Sequence, residues 1–258
     1  MKLDNFCLII STVTKCQDLW PMFFGQLDKF LPDIKKKYVL VDKTDYDFGD
    51  DYEVIFYDGK KKYREQLLEC FPHIKEEYCL YLQEDYVLYE KPKWDHIENL
   101  LSYLKSNQKI DFVKLIRSSL DSIELISEST DVGLPLYDIV ESNTYYTQQP
   151  TIWKFNKLVK IFEDTPSSHI GGIINESSGG VKELHFEQLA NKSCKENCTG
   201  LLYYNNEPKR GLYHHDSSIF PFIASALVRG KWNLSEYSNE LIPLVLEYNI
   251  DLSLRGGL

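Results

Sequence analysis

The sequence predicts an α/β fold, a Rossmann-like, mostly parallel central sheet flanked by helices with a helical C-terminal part. Three observations support it. Short apolar runs alternate with amphipathic stretches through the first half, the pattern of strands joined by helical crossovers. Several of those runs end in a carboxylate, at Asp42, Asp58 and Glu84-Asp85. The 258 residues are 43% hydrophobic and 14% aromatic, enough for one well-packed core, and no repeat or linker divides them. A single domain over 1–258 is therefore expected, with a ligand-binding half over 1–120 and a completing half over 121–258.

Phe6 to Val13 is the first strand. Asp18 to Phe30 is a helix, because Leu19, Met22, Phe23, Leu27 and Phe30 recur near helical spacing, Asp18 suits a cap and Pro21 fits the first turn. Tyr38–Asp42 and Glu53–Asp58 are strands, Tyr63–Phe71 a helix, and Tyr78 onward the strand that runs into Glu84-Asp85. Lys93–Lys105 carries Trp94, Ile97, Leu100, Leu101 and Leu104 on one helical face, and Asp111–Ile116 is again a strand. Arg117 to Gly133, Ser- and Asp-rich, reads as an excursion at the sheet edge before a strand at Tyr137–Val140. Thr151–Phe162 has helical spacing behind Pro150. Asp164–Lys182 is Gly- and Ser-rich and reads as a loop, ordered or lid-like. Glu183–Asn191 is a helix, Leu201–Asn205 a strand, and Phe220–Arg229 and Glu240–Tyr248 are terminal helices.

Charge and composition exclude several functions. A formal net charge of -10 disfavours nucleic acid, whose backbone is bound by clustered Lys and Arg. The short runs Lys35–Lys37 and Lys60–Lys62 read as solvated boundaries. No apolar stretch approaches the ~20 residues of a membrane-spanning helix, and the N-terminus lacks a signal-peptide pattern, so a soluble, cytoplasmic chain is expected. The six cysteines then read as reduced thiols, and Cys194 to Cys198 lacks a second pair for zinc.

The most informative motif is Gln83-Glu84-Asp85. Carboxylates at the end of a core strand face a cation, donors or a solvent-filled cleft, because burying them unpaired is penalised by several kcal/mol or neutralises them. In open α/β sheets the ligand crevice lies beyond those strand ends. The plainer reading is a strand running out into a polar turn.

The order of these features resembles the GT-A-type, Rossmann-like nucleotide-sugar glycosyltransferases. Four elements carry the resemblance: the opening strand with Ser11-Thr12-Val13-Thr14, the strand ending at Asp42, the helix bearing Arg64, and the paired acids after the fourth strand. It covers about the first 120 residues in pattern. It implies a metal-dependent transferase moving a sugar from a nucleotide-diphosphate donor, a UDP-sugar first, to a glycan or other hydroxyl acceptor, in polysaccharide biosynthesis. In that family one acid lies near the donor ribose and another on a divalent cation bridging the diphosphate. Glu84 would take the ribose and Asp85 the cation, Mn²⁺ or Mg²⁺, both of which accept hard oxygen ligands from one or two carboxylates plus phosphates. Gln83 departs from the strict Asp-x-Asp pattern, which leaves the division of roles open. The resemblance places Ser11, Thr12 and Asp42 against the nucleoside and Arg64 toward the donor. The bland alternatives are a turn at Asp42-Lys43 and an exposed helix arginine.

The same resemblance suggests that His214 or His215 completes the metal site; in a strand only one would face it. Glu183 and Glu187, one helical turn apart, are candidates for the base that takes the acceptor's proton in an inverting reaction. Trp153 with Gln149 is a candidate acceptor platform, although 18 tyrosines make aromatic packing ordinary in this chain. Two other readings stand beside the transferase. Sugar nucleotidyl transfer usually shows a Gly-rich loop after the first strand, absent after Ile10; a non-catalytic glycan- or protein-binding module would keep the fold without turnover.

Overall fold

A computed structural model describes residues 5–119, 121–126, 133–142, 144–167 and 186–257. Its centre is a nine-stranded mixed sheet built from β1 (Phe6–Ser11), β2 (Lys37–Val41), β3 (Tyr52–Phe56), β4 (Tyr78–Gln83), β5 (Phe112–Lys114), β6 (Ser122–Leu125), β7 (Leu136–Glu141), β8 (Thr151–Lys154) and β9 (Gly200–Tyr203). The order across the sheet is β3-β2-β1-β4-β8-β5-β9-β7-β6. The first four are mutually parallel; in the whole sheet only β8 and β7 run against the rest.

Helices cover both faces, as the residue alternation along the strands requires. Leu8, Ile10, Leu80 and Leu82 pack toward α1 (Trp20–Phe30), α3 (Trp94–Ser106) and α6 (Leu234–Glu247). Their neighbours Cys7, Ile9, Cys79 and Tyr81 pack toward α2 (Tyr63–Cys70), α4 (Phe155–Asp164) and α5 (Phe186–Asn197). The close fit is plain at Gly200, where a Cβ would enter the ring of Phe112 on the paired strand.

Three expectations are corrected. Thr151–Lys154 is strand rather than the first turn of a helix: Thr, Ile and Trp suit a pleated surface, and this segment fills the gap between β4 and β5, antiparallel to both. Helix α4 begins only at Phe155. Asp18 does not cap α1, whose N-cap is Leu19 without a side-chain bond; Asp18 is held by Arg255 instead.

Phe220–Arg229 is not a helix. Its apolar residues are buried without helical periodicity. The segment lies extended and antiparallel along the exit from β4, with Ile223 N–H on the Val87 carbonyl at 2.8 Å and Ala226 N–H on the Asp85 carbonyl at 2.9 Å. It leads into a hairpin of β12 (Leu227–Val228) and β13 (Lys231–Trp232). The second terminal helix is observed as α6. A smaller ribbon, β10 (Lys209–Arg210) with β11 (His214–His215), lies nearby in sequence.

Candidate active site

The site forms where β1 and β4 end side by side, with Ser11 in register with Gln83. Beyond them opens a cavity of about 440 Å³ whose walls include Ser11, Thr12, Glu84, Asp85, Lys15 and Arg255. The backbone leaving β4 is fixed from outside the sheet, because Ala226 holds the Asp85 carbonyl. The loop leaving β1 is fixed by Thr12, whose hydroxyl accepts from Trp20 Nε1 at 2.7 Å and whose carbonyl accepts from the Tyr57 hydroxyl at 2.8 Å. Ser11 and Thr12 line the cavity, and the Thr12 hydroxyl already has a partner.

Both acids of the pair are held toward their neutral forms. Burial raises Glu84, partly offset by hydrogen bonds from the Cys16 thiol and Thr12 and by the Arg255 charge. Burial, and then the adjacent Glu84 charge, pushes Asp85 up to about 8. Ser225 Oγ stands at 3.5 Å from Asp85 Oδ2, and no cation of a described residue forms an ion pair with Asp85. A buried carboxylate pair with so little compensating charge is the environment that a bound cation or a proton relieves.

A hydrogen-bonded chain leads from the pair toward α5. Gln83 Nε2 donates to Gln148 Oε1 at 3.0 Å, and the Gln148 N–H donates to Glu187 Oε1 at 3.2 Å. Glu187, in the first turn of α5, is raised by desolvation, with the Gln148 bond and the Lys114 charge opposing. Lys114 is itself buried and anchored on Asp121 at 3.3 Å and the Thr144 carbonyl at 2.7 Å.

Several candidates lie elsewhere. Arg64 does not face the cavity; it closes the end of α4 by donating to the carbonyls of Phe162 at 2.6 Å and Glu163 at 2.9 Å, although Tyr63 and Gln66 of the same helix do line the cavity. Asp42 accepts from Thr14 N–H at 2.8 Å and Thr14 Oγ1 at 2.7 Å. Those bonds outweigh burial and lower its pKa, so it serves the turn rather than the cavity. Neither His214 nor His215 lines the cavity: His214 Nε2 is 2.6 Å from the Tyr237 hydroxyl, and His215 Nδ1 is 2.9 Å from the Glu207 carbonyl. Among the described residues no group of three or more His, Cys, Asp or Glu side chains is arranged to hold a metal ion. Trp153 is 1% exposed and packs on Phe112 with ring centroids 4.3 Å apart, so it belongs to the core and not to an acceptor platform. Gln149 is half-buried, its carbonyl accepting from Thr151 Oγ1 at 2.9 Å. Glu183 lies outside the described residues.

Residues that sequence reasoning passed over complete the cavity. Lys15 and Cys16 follow the Ser11-Thr12-Val13-Thr14 segment directly, a proximity that could have drawn them in. Arg255 carries no such signal, since its role depends on a contact with Asp18 across 237 positions.

No family profile matches the sequence, and no curated protein matches it. Similar solved structures include a UDP-glucose pyrophosphorylase complexed with UDP-glucose, with 9% identity over 81% of this chain and 93% of that one, TM-score 0.48. The mannosyltransferase PcManGT from Pyrobaculum calidifontis, in complex with GDP-Man and Mn²⁺, is 12% identical over 81% of this chain and 58% of its own, TM-score 0.45. The bifunctional IspDF from Campylobacter jejuni is 14% identical over 83% of this chain, TM-score 0.43, and this chain spans only 52% of it. At these identities and scores the similarity carries no argument about this chain's function.

Proposed function

We propose that this chain transfers a sugar from a nucleotide-diphosphate donor, a UDP-sugar first, to a hydroxyl of a glycan or other acceptor, using Mn²⁺ or Mg²⁺. The observation that carries this reading is the Glu84–Asp85 pair at the crevice end of a central strand, Asp85 being pushed to about 8 with no cation of a described residue paired to it. The donor set fits a hard divalent cation completed by phosphate and water oxygens, since such ions are commonly held by one or two carboxylates. Asp85 would hold the ion and Glu84 the donor ribose, with Ser11 and Thr12 beside the nucleoside. When bound, the ion would neutralise charge on the departing diphosphate.

In this reading Glu187 is the base. The acceptor oxygen attacks the anomeric carbon, the bond from that carbon to the diphosphate oxygen breaks, and the acceptor's proton passes to Glu187. The raised pKa of Glu187 suits a group that must hold that proton, and the Gln148 N–H orients its carboxylate. Gln149 is placed one residue further along the same loop, suited to an acceptor hydroxyl. The six unpaired cysteines agree with a reducing, cytoplasmic setting, and no helix among the described residues is long and apolar enough to cross a membrane.

The deciding experiment incubates the chain with UDP- and GDP-sugars and a panel of hydroxyl acceptors, with MnCl₂ or with EDTA, and measures nucleoside diphosphate release. Metal-dependent release that Asp85→Asn abolishes supports the proposal. Pyrophosphate release from a nucleoside triphosphate and a sugar 1-phosphate would instead establish nucleotidyl transfer, and donor binding without turnover a non-catalytic module.

A further inference from the structure

Beside the acid-pair cavity, and sharing Lys15, Gly230 and Arg255 with it, runs a groove of about 600 Å³. Four of its wall residues are cationic, Lys15, Arg229, Lys231 and Arg255, and its one acid, Asp18, is bound through both oxygens by Arg255 at 2.5 Å. Three positive charges are thus left over, and none of Lys15, Arg229 and Lys231 forms an ion pair with a described residue. In a chain of net charge -10, such a concentration along one groove calls for an anion.

The backbone of Arg229 supplies an independent observation. Arg229 and Gly230 are the two turn residues between β12 and β13, with φ of 52° and 78°. A two-residue hairpin turn with both residues in the left-handed region favours Asn, Asp or Gly. Arginine there accepts a backbone penalty that asparagine would largely avoid, and a residue kept against local preference is expected where its side chain has a function. The hairpin places Arg229 on the wall of the groove, next to Gly230, which lines both groove and cavity.

We infer that Lys15, Arg229 and Lys231 form a phosphate-binding subsite next to the acid pair, separate from the carboxylates that would hold a cation. Guanidinium and ammonium groups together suit a phosphate ester, the first as a planar fork and the second as a point charge. The phosphate belongs either to the donor nucleotide or to a phosphorylated acceptor. That choice of sources rests on the transferase reading, whereas the anion site does not.

Isothermal titration of the full chain in EDTA with inorganic phosphate, UDP and glucose 6-phosphate tests the site. Arg229→Asn with Lys231→Gln keeps the turn and removes two charges, and Lys15→Gln on the opposite loop gives a second variant should the hairpin change impair folding. At least one phosphate-bearing ligand should bind roughly tenfold more weakly to the variants, from the strength of charge-assisted hydrogen bonds in a partly solvated groove. Loss for UDP assigns the phosphate to the donor, and loss confined to glucose 6-phosphate assigns it to the acceptor. Equal affinities for wild type and variants, or no binding of any of the three to wild type, would overturn the site. Persistence of Mn²⁺-dependent UDP binding in Asp85→Asn would refute the metal assignment without altering these metal-free affinities.

Discussion

Asp85→Asn should stabilise the metal-free protein, increasingly so as pH rises. In the folded chain the Asp85 carboxyl titrates near 8, against a reference of 3.8. Between those values the folded state retains a proton that the unfolded state has released, so stability falls with rising pH across this window and the loss is complete above about 8. Each pH unit inside the window corresponds to at most about 1.36 kcal/mol, so moving from pH 5 to pH 7 removes up to about 2.7 kcal/mol through this group. Relaxation and coupling to Glu84 reduce the figure, and about 1–2 kcal/mol is a reasonable expectation. The isosteric amide is neutral throughout and lacks this dependence. In EDTA the variant and wild type should therefore melt closest together at or below about pH 4, and between pH 5 and pH 7 the gap in favour of the variant should widen by several degrees, at about 2–4 °C per kcal/mol for a chain of this size. Differential scanning calorimetry at the two pH values measures the gap, and MnCl₂ should raise wild type alone. A variant less stable than wild type at pH 8, or a gap independent of pH, would refute the account of Asp85 as an undercompensated buried carboxylate.

Glu187→Gln should lower kcat by at least about a hundredfold while leaving Mn²⁺-dependent donor binding intact, as product release and calorimetric titration would measure. Trp153→Ala should destabilise the fold by about 3–5 kcal/mol in urea titrations, since it opens a cavity among Phe112, Tyr146 and the strands around it. His214→Ala should leave the affinity for Mn²⁺ unchanged in titrations, because its ring is engaged with Tyr237 and not with the acid pair. Gly200→Ala should cost about 1–3 kcal/mol by thermal unfolding, through the clash of the new methyl with Phe112.

The parallel half of the sheet was legible because each of its strands is an apolar run bounded by polar residues, followed by turns or periodic helices. Tyr78–Gln83 announces both its burial and the acids beyond it. Thr151–Phe162 misleads because its apolar spacing continues helically across the junction at Phe155; the strand exists through its neighbours β4 and β5, a tertiary effect that local periodicity does not encode. Phe220–Arg229 is mostly apolar, so its pattern does not distinguish a buried helix from a buried extended segment; the pairing along the exit from β4 decides it. At the site, adjacency in sequence revealed Glu84 and Asp85. The links that depend on chain crossing, Arg255 to Asp18 and Gln83 to Gln148, have no local signature. The expectation for His214 and His215 rests on the resemblance and on residue type, neither of which encodes that their ring nitrogens meet Tyr237 and the Glu207 carbonyl.

The reversal of β8 has a consequence for how specificity can change. Because this strand runs against β4, the residues entering it, Gln148 and Gln149, arrive at the edge from which Glu84 and Asp85 leave. Donor chemistry and acceptor surroundings are thus encoded in segments more than sixty residues apart that share a boundary of two amide side chains. Substitutions or insertions in the 144–150 loop can reshape what approaches Glu187 while the acid pair keeps its backbone frame, so one half of the reaction is free to vary without dismantling the other.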